Sequence, residues 1–283
     1  MKTKSKLNAG ERRRKIISFV LLLIICIIFV VPLLWAFGTS FKKNALTDPM
    51  SIFPKEPSFD NYLQLFRTES APIVNWFLNS ICVSAIHTVL YLILASLAGY
   101  AFGILEWKGR NVVFGLLLAT TMVPSVINLV PLYGMTQTLH IKGTWWSLIL
   151  PGLGGVMYMF LIKQTFAQIP KDIIEAAKID GMGPIRIFTH IVVPLSKSIF
   201  MVVAIMTFIN SWNDYLWPSI ALAGVKPSFL TLPLGIAKLL GDNNMNNGLT
   251  MAGAIISMLP PLIVYLFLQD KIIEGVAHTG SKG

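Results

Sequence analysis

The sequence predicts an all-α integral membrane protein that crosses the bilayer six times. Hydrophobic residues make up 54% of the chain and charged residues only 13%, and the mean hydropathy is +0.68. Soluble domains carry about 25% charged residues, so the deficit indicates that lipid surrounds much of this chain. Because each helical span needs about 20 apolar residues, 283 residues provide enough length for roughly six spans joined by short connections.

Six stretches that are almost free of charge mark these spans. The first follows the basic cluster 12–15 and is too long for a signal peptide, whose apolar region is about 7–15 residues long, so we interpret it as an uncleaved span. Asp214 interrupts the fifth span near its end. The predicted spans are 16–37, one within 71–105, 112–133, 145–161, 195–218 and 249–268.

The distribution of basic residues predicts which side of the membrane each connection occupies. With both termini in the cytoplasm, 16 of the 23 Lys and Arg residues lie inside and 7 lie outside. An excess of Lys and Arg is typical of cytoplasmic loops, so this orientation is favoured over its reverse. We therefore predict a cytoplasmic N-terminal tail at 1–15, a transmembrane domain at 16–270 and a cytoplasmic C-terminal tail at 271–283.

Several functional classes are disfavoured. The net charge of +10 does not indicate nucleic-acid binding, because the basic residues lie between apolar runs instead of on one patch. Cys26 and Cys82 both lie inside apolar runs and are poor disulfide candidates. The chain has no Walker A sequence, no metal-ligand cluster and no nucleophile–base pair. We expect no enzymatic activity and no cofactor in this chain.

One predicted cytoplasmic connection, 168–194, has the pattern of two short helices separated by glycine. Pro170 suits the first turn of a helix, Gly181 and Gly183 end it, and Pro184 can begin the next. Two small residues make one face of the first helix shallow, so that another surface can approach it closely. Either a separate protein or this chain's own helices can supply that surface. The residues that share this face at helical spacing are Ile169, Ile173, Ala176, Ala177 and Asp180.

The residue identities in this segment resemble the EAA motif of ABC importer permeases. The resemblance rests on Glu175-Ala176-Ala177, on Gly181, and on Ile191 through Pro194 and Leu195. In that family the element is a coupling helix that docks into a cleft of a cytoplasmic ATPase. The residues that the resemblance assigns to ATPase coupling are Glu175, Ala176, Ala177, Asp180, Gly181 and Pro194.

The resemblance extends over nearly the whole chain and narrows to the carbohydrate-uptake branch, the MalG-like permeases. The tail departs from the family's usual ending at 278–281. The segments that carry the likeness are 98–102, 108–110, 123–124, 130–133, 211–218 and 274–276.

This resemblance implies a subunit that moves a sugar or oligosaccharide across the bacterial cytoplasmic membrane by ATP-driven alternating access. The implied partners are a second permease, two ATP-binding subunits that hold ATP and Mg, and an extracytoplasmic solute-binding protein. Two other solute-transport functions stay open. One is an importer of the same family for a glycerol phosphodiester or a polyol. The other is an ion-coupled secondary transporter, which is disfavoured because the spans lack central acids.

Two further sets of residues are candidates for contacts with solute or partner. Asn210, Asn213 and Asp214 lie near the outer end of the fifth span and are candidates for the substrate path, although a structural role for Asp214 stays open beside substrate contact. We interpret the nearby Trp212 and Trp217 as interfacial belt residues.

The outer connection 221–247 mixes an apolar and a polar stretch. The apolar part, 229–234, is expected either to dip into the membrane surface or to pack on the helices. The polar part is predicted to touch the solute-binding protein, and a loop without such a contact is the alternative. The residues of this predicted contact are Asp242, Asn243, Asn244 and Asn246.

Overall fold

The computed structural model describes residues 9–43, 51–69, 71–241 and 247–280. These residues form helices and connections, with one isolated bridge between Lys42 and Pro57 and no strand within the described ranges. The predicted all-α class is therefore confirmed for this part of the chain.

Three helices of 31–34 residues are accompanied by shorter helices of 3–17 residues in the described chain. Three 3₁₀ turns, at Ser125–Asn128, Pro151–Gly154 and Pro227–Phe229, and one π-helical turn at Phe188–Val192 join some of them. The α-helices are α1 Ala9–Ser40, α2 Asp60–Arg67, α3 Ile73–Gly103, α4 Arg110–Thr120, α5 Leu129–Thr138, α6 Trp145–Ile149, α7 Val156–Phe166, α8 Lys171–Ile179, α9 Pro184–Ile187, α10 Val193–Leu195, α11 Lys197–Asn213, α12 Leu216–Ala221, α13 Leu232–Gly241 and α14 Asn247–Gly280.

Three described helices are long and apolar enough to cross a membrane by themselves: Arg12–Ser40, Ile73–Gly103 and Asn247–Phe267. Three further pairs of helices reach the same criterion together but are bent, so the described residues hold three to six candidate spans. The pairs are Arg110–Thr120 with Ser125–Thr138 at 88°, Trp145–Gly154 with Val156–Phe166 at 47°, and Pro184–Leu195 with Lys197–Asn213 at 80°.

The bends lie where the sequence interrupts the helical backbone. Pro124 and Gly155 both adopt extended conformations, with ψ of 127° and 123°. Carbonyl groups freed at such breaks need a partner when water is absent, and the hydroxyl of Tyr91 supplies one by donating to the Gly155 carbonyl at 2.6 Å. The fifth predicted span is shorter than expected, because α11 ends at Asn213 and α12 begins only at Leu216.

The described residues belong to two units, Met1–Glu69 with Lys238–Ile256 and Ser70–Ala237 with Ser257–Gly283. In the first unit the carboxamide of Asn61 donates to the carbonyls of Ser40 and Lys42 at 2.9 and 2.8 Å. These bonds satisfy carbonyls at the end of α1. The most apolar window of α1 has no residue buried within the chain, so its side chains are available to lipid or to another subunit.

The second unit is arranged around α3, which packs against α7 and α11. Two glycines one helical turn apart, Gly99 and Gly103, allow α3 and α7 to approach closely. A Cβ atom at Gly99 would lie 2.8 Å from Ile162 Cγ2, and one at Gly103 would lie 3.1 Å from the Lys163 carbonyl oxygen. Small residues spaced in this way are typical of contacts between membrane helices.

The N-terminal end of α3 fixes the start of the connection 221–247. The Trp76 indole donates to the Pro227 carbonyl at 2.7 Å, the Asn79 carboxamide donates to Ser228 and Leu230 at 2.8 and 3.0 Å, and the Ser80 hydroxyl accepts from the Leu232 amide at 2.8 Å. Leu230 and Leu232 are buried. Of the two expectations for the apolar stretch 229–234, packing on the helices is therefore the one confirmed.

The contact between α3 and α7 leads to a prediction. We expect Gly99→Leu to lower the thermal stability of the purified chain, because its side chain would have to displace Ile162; overpacking of this kind costs about 1–3 kcal/mol. Gly115→Leu is the matched control, since no atom lies within 4 Å of a Cβ atom there. Equal melting temperatures for the two variants would contradict the close approach.

Candidate functional site

The connection between α7 and α11 has the predicted helix–glycine–helix form. Helix α8 follows Pro170, and α9 begins with Pro184. The Gly181 amide donates to the Lys178 carbonyl at 3.0 Å and the Met182 amide to the Ala177 carbonyl at 2.9 Å. This pair of bonds is the Schellman arrangement, in which the residue at C′ adopts a left-handed conformation. Gly181 has the required φ of +79°.

The buried face of α8 differs from the predicted one. Ile174 and Ala177 are 6% and 5% exposed and point into the chain, whereas Ile173, Ala176 and Asp180 are exposed. The prediction that Ala177 lies on one face with these residues is wrong. An alanine suits both a buried helix contact and an open docking surface, so its size did not distinguish the two.

The buried face of the segment joins the core of the second unit. Ile174, Ala177, Ile187 and Val192 belong to one cluster of buried residues that also contains Tyr91, Tyr100, Met159, Ile162, Phe166 and Val203 from α3, α7 and α11. Tyr100 adds a polar contact, since its hydroxyl donates to the Pro184 carbonyl at 3.0 Å and its ring lies 5.2 Å from that of Phe188. Sequence reasoning did not identify Tyr100 in this role.

The opposite face of the segment is open and partly apolar. Ile173, Ile179 and Ile185 are 41%, 85% and 80% exposed. Exposed large aliphatic side chains grouped on one element mark an interaction surface. The other predicted coupling residues are also exposed, and they are Glu175, Ala176, Asp180, Gly181 and Pro194.

A second feature is a cavity of about 660 Å³ in the same unit. It is lined by parts of α3, α5, α6, α11 and α12 and by both 3₁₀ turns at the bends of the third and fourth predicted spans. The bends thus bring polar residues of broken helices to the cavity, the arrangement in which irregular backbone is tolerated inside a membrane. The polar lining residues are His87, Ser125, Asn128, Asn210, Ser211 and Asp214.

The structure brings two of the three predicted substrate-path residues together. Asn210 and Asp214, four residues apart, both line the cavity, and the Asn210 carboxamide donates to the Tyr158 hydroxyl at 2.6 Å. Asn213 is exposed and is not among the cavity residues. The Asp214 side chain faces the backbone amides of Trp217, Tyr215 and Leu216 at the start of α12, so it combines a structural contact with a place in the cavity.

Both tryptophans interpreted as belt residues are buried among the helices. Trp212 is 1% and Trp217 is 8% exposed; their indole groups donate to the carbonyls of Ser257 at 3.0 Å and Ser147 at 2.8 Å. The belt interpretation is therefore wrong for these two residues. Trp217 lines the cavity, and its bond to Ser147 holds the ring in place.

Other cavity residues lay outside the sequence-based prediction. Ser125 and Asn128 are the polar positions that follow Pro124, and that proline was the available signal. His87 lies against Gly152, where a Cβ atom would overlap the imidazole. The predicted binding-protein contacts Asp242, Asn243, Asn244 and Asn246 lie outside the described residues.

Comparisons with known proteins agree with this picture of a membrane-embedded, partly broken helical bundle. The model of the family "Binding-protein-dependent transport system inner membrane component" matches residues 93–277. The chain is 36% identical over 234 residues to the arabinooligosaccharides transport system permease protein AraQ of Bacillus subtilis strain 168, covering 83% of this chain and 82% of that protein. It is 35% identical over 274 residues to the galactooligosaccharides transport system permease protein GanQ of the same strain, covering 95% and 96%.

A solved structure shares the fold. A chain of a bacterial ABC transporter involved in the import of the acidic polysaccharide alginate superposes with a TM-score of 0.84 at 20% identity, covering 94% of this chain and 99% of that chain.

The position of Ala177 leads to a prediction about stability. Ala177→Arg is expected to lower the melting temperature and the yield of folded chain, because an arginine would place a charge within the buried cluster at a cost of several kcal/mol. Ala176→Arg is the matched control one residue away, on the exposed face. A neutral effect of Ala177→Arg on thermal stability would refute the assigned face.

Proposed function

Because the chain belongs to the family of binding-protein-dependent transport system inner membrane components, we propose that it is the membrane-spanning permease subunit of an importer for a sugar or oligosaccharide. Its relatives AraQ and GanQ are named for arabinooligosaccharides and galactooligosaccharides. The observation that carries the proposal is the buried cluster that ties 168–194 to the helices bearing the cavity.

The proposed mechanism is alternating access driven by partner subunits. Two ATP-binding subunits hold ATP and Mg and bind the open face of α8, while this chain supplies no ATP site. A second permease completes the path, and an extracytoplasmic solute-binding protein delivers the solute. A ligand shifts a conformational equilibrium only through a difference in affinity for the two states; the contact of the ATPase with 168–194 provides that difference.

The proposal includes a placement in the membrane. The six proposed spans are the three long helices, the bent pairs 110–138 and 145–166, and α11, and both termini lie in the cytoplasm. The tail 1–15, the membrane domain 16–270 and the tail 271–283 follow from this arrangement, with 168–194 on the cytoplasmic side. Of the residues predicted to couple to the ATPase, Glu175, Ala176, Asp180, Gly181 and Pro194 face outwards and are proposed to touch it, and Ala177 acts by packing inside.

Uptake in proteoliposomes tests the function. The complete transporter, reconstituted with its second permease, ATPases and binding protein, is expected to accumulate a radiolabelled sugar only when ATP is enclosed on the cytoplasmic side. Omitting the ATPases should abolish accumulation. Accumulation that persists without them and follows an imposed ion gradient would support the ion-coupled alternative instead.

The left-handed turn at Gly181 leads to a prediction about coupling. Gly181→Val is expected to leave membrane insertion intact and to reduce uptake at least about tenfold, since a β-branched residue with positive φ is strained and the turn would change shape. No atom lies within 4 Å of a Cβ atom at Gly181 or at Gly183, so the effect is conformational.

Two variants control this experiment. Gly183 has φ of −71° and ψ of 164°, which valine adopts readily, so Gly183→Val should insert and fold as the wild type does. Asparagine tolerates the left-handed conformation, and Gly181→Asn should restore part of the uptake. Full uptake by Gly181→Val would rule out a role for the turn.

The orientation is tested by labelling single cysteines with a membrane-impermeant reagent in intact cells. Cysteines at the exposed positions Lys55 and Lys226 are expected to react from outside, and those at Lys108 and Lys178, also exposed, are expected to react only after the membrane is opened. Reaction of a cysteine at position Lys178 in intact cells would show that this segment lies outside. It would contradict both the proposed topology and the proposed contact with the ATPase.

A further inference from the structure

The described side chains that line the cavity include an acidic group and no basic Lys or Arg. Among the described residues that line it, Asp214 is the one carboxylate and none is Lys or Arg. Serine hydroxyls and asparagine carboxamides supply neutral groups that both donate and accept hydrogen bonds. The remaining lining includes aliphatic side chains and the indole of Trp217. A solute in this cavity therefore meets hydroxyl and carboxamide groups, the imidazole of His87, apolar surface and one carboxyl group.

These groups match the chemistry of uncharged polyhydroxylated molecules. Hydroxyl groups of a sugar can pair with Ser125, Asn128 and Ser211 as donors or as acceptors, and the oxygen atoms of Asp214 add acceptors. Ligand sites combine apolar lining with a few polar groups in this way. The Trp217 ring is held by its bond to Ser147, so it offers the cavity a fixed apolar face.

The same lining groups are unfavourable for an anionic solute. A carboxylate, phosphate or sulfonate taken from water into a lining without Lys or Arg keeps only hydrogen bonds from neutral donors, which do not offset the lost hydration of its charge. The ionised form of Asp214 would add repulsion: at about 10 Å and an effective dielectric constant of about 20, two like charges lower affinity roughly tenfold. The protonated form would still offer no cation.

We infer, on the premise of the proposed function, that the cavity of this subunit selects neutral sugars over acidic ones. The fold by itself does not determine the charge of the solute, because a transporter involved in the import of the acidic polysaccharide alginate has the same fold. Selection by charge thus resides in a few lining residues, with Asp214 foremost. The same reasoning disfavours a glycerol phosphodiester as the solute.

The test separates this inference from the proposed function. Proteoliposome uptake is first measured with arabinotriose, galactotriose and maltotriose; absence of uptake of all three would contradict the proposed function. Equilibrium binding of each transported sugar, and of its aldonate made by oxidising the reducing end, is then measured on the purified membrane complex without the binding protein. The neutral sugar is expected to bind at least about tenfold more tightly than its aldonate.

Three variants test which residues produce the preference for neutral over acidic sugars. Asp214→Asn should narrow the preference for the neutral sugar, and Asp60→Asn, an exposed carboxylate in the first unit, should leave it unchanged. Asn128→Lys places a cation at an exposed lining position and should favour the aldonate. Equal binding of the two forms, no binding of a transported sugar, or a preference that both Asp214→Asn and Asn128→Lys leave intact would overturn the inference.

Discussion

The structure of the second unit depends on one buried apolar cluster that has no boundary between the membrane helices and the segment 168–194. Ile174 and Ala177 from α8 belong to the same packed group as Tyr91 from the middle of α3. Packed interiors transmit displacement because they contain few voids and side chains occupy defined rotamers. A force applied to the open face of α8 therefore acts on α3, α7 and α11 together, and α3 and α11 carry His87 and Asn210 at the cavity.

A second constraint is the need to satisfy backbone groups wherever a helix breaks inside the bundle. Tyr91 supplies the hydroxyl that bonds the Gly155 carbonyl, and Trp217 supplies the indole that bonds the Ser147 carbonyl. Tyr91 is a neighbour of His87, which lines the cavity, and Trp217 lines the cavity itself. The residues that stabilise the helix breaks therefore also shape the cavity. The breaks are useful because they place short polar side chains, such as Ser125 and Asn128, where a straight helix would present a continuous apolar surface.

Periodicity and composition predicted the features that depend on local chemistry. The apolar stretches and the glycine turn between α8 and α9 follow from residues close together in the chain. The inward position of Ala177 did not follow, because an alanine fits a buried contact and a docking surface equally well. The burial of Trp212 and Trp217 was also missed, since an indole suits both the membrane interface and a helix–carbonyl contact.

The cavity was only partly foreseen for a related reason. Asn210 and Asp214 are four residues apart and were recognised from one stretch of sequence, whereas the residues that face them come from α3 and from two bent pairs of helices. Bend angles of 88° and 47° depend on which helices pack together, and a single sequence does not specify those contacts. Asn213 was included on proximity alone, and the helical rotation of about 100° per residue takes it away from the cavity.

The central claim is that 168–194 and the cavity end of α3 move as one body. Spin labels at Asp180 and Ile86, both exposed positions, would report the distance between them by double electron–electron resonance in the reconstituted complex. The account predicts that the distance between the labels stays constant to within about one helical rise of 1.5 Å between the nucleotide-free and ATP-bound states, while transport remains active. A change of about one helical turn, roughly 5 Å, would show that the segment moves independently of α3 and would contradict the account.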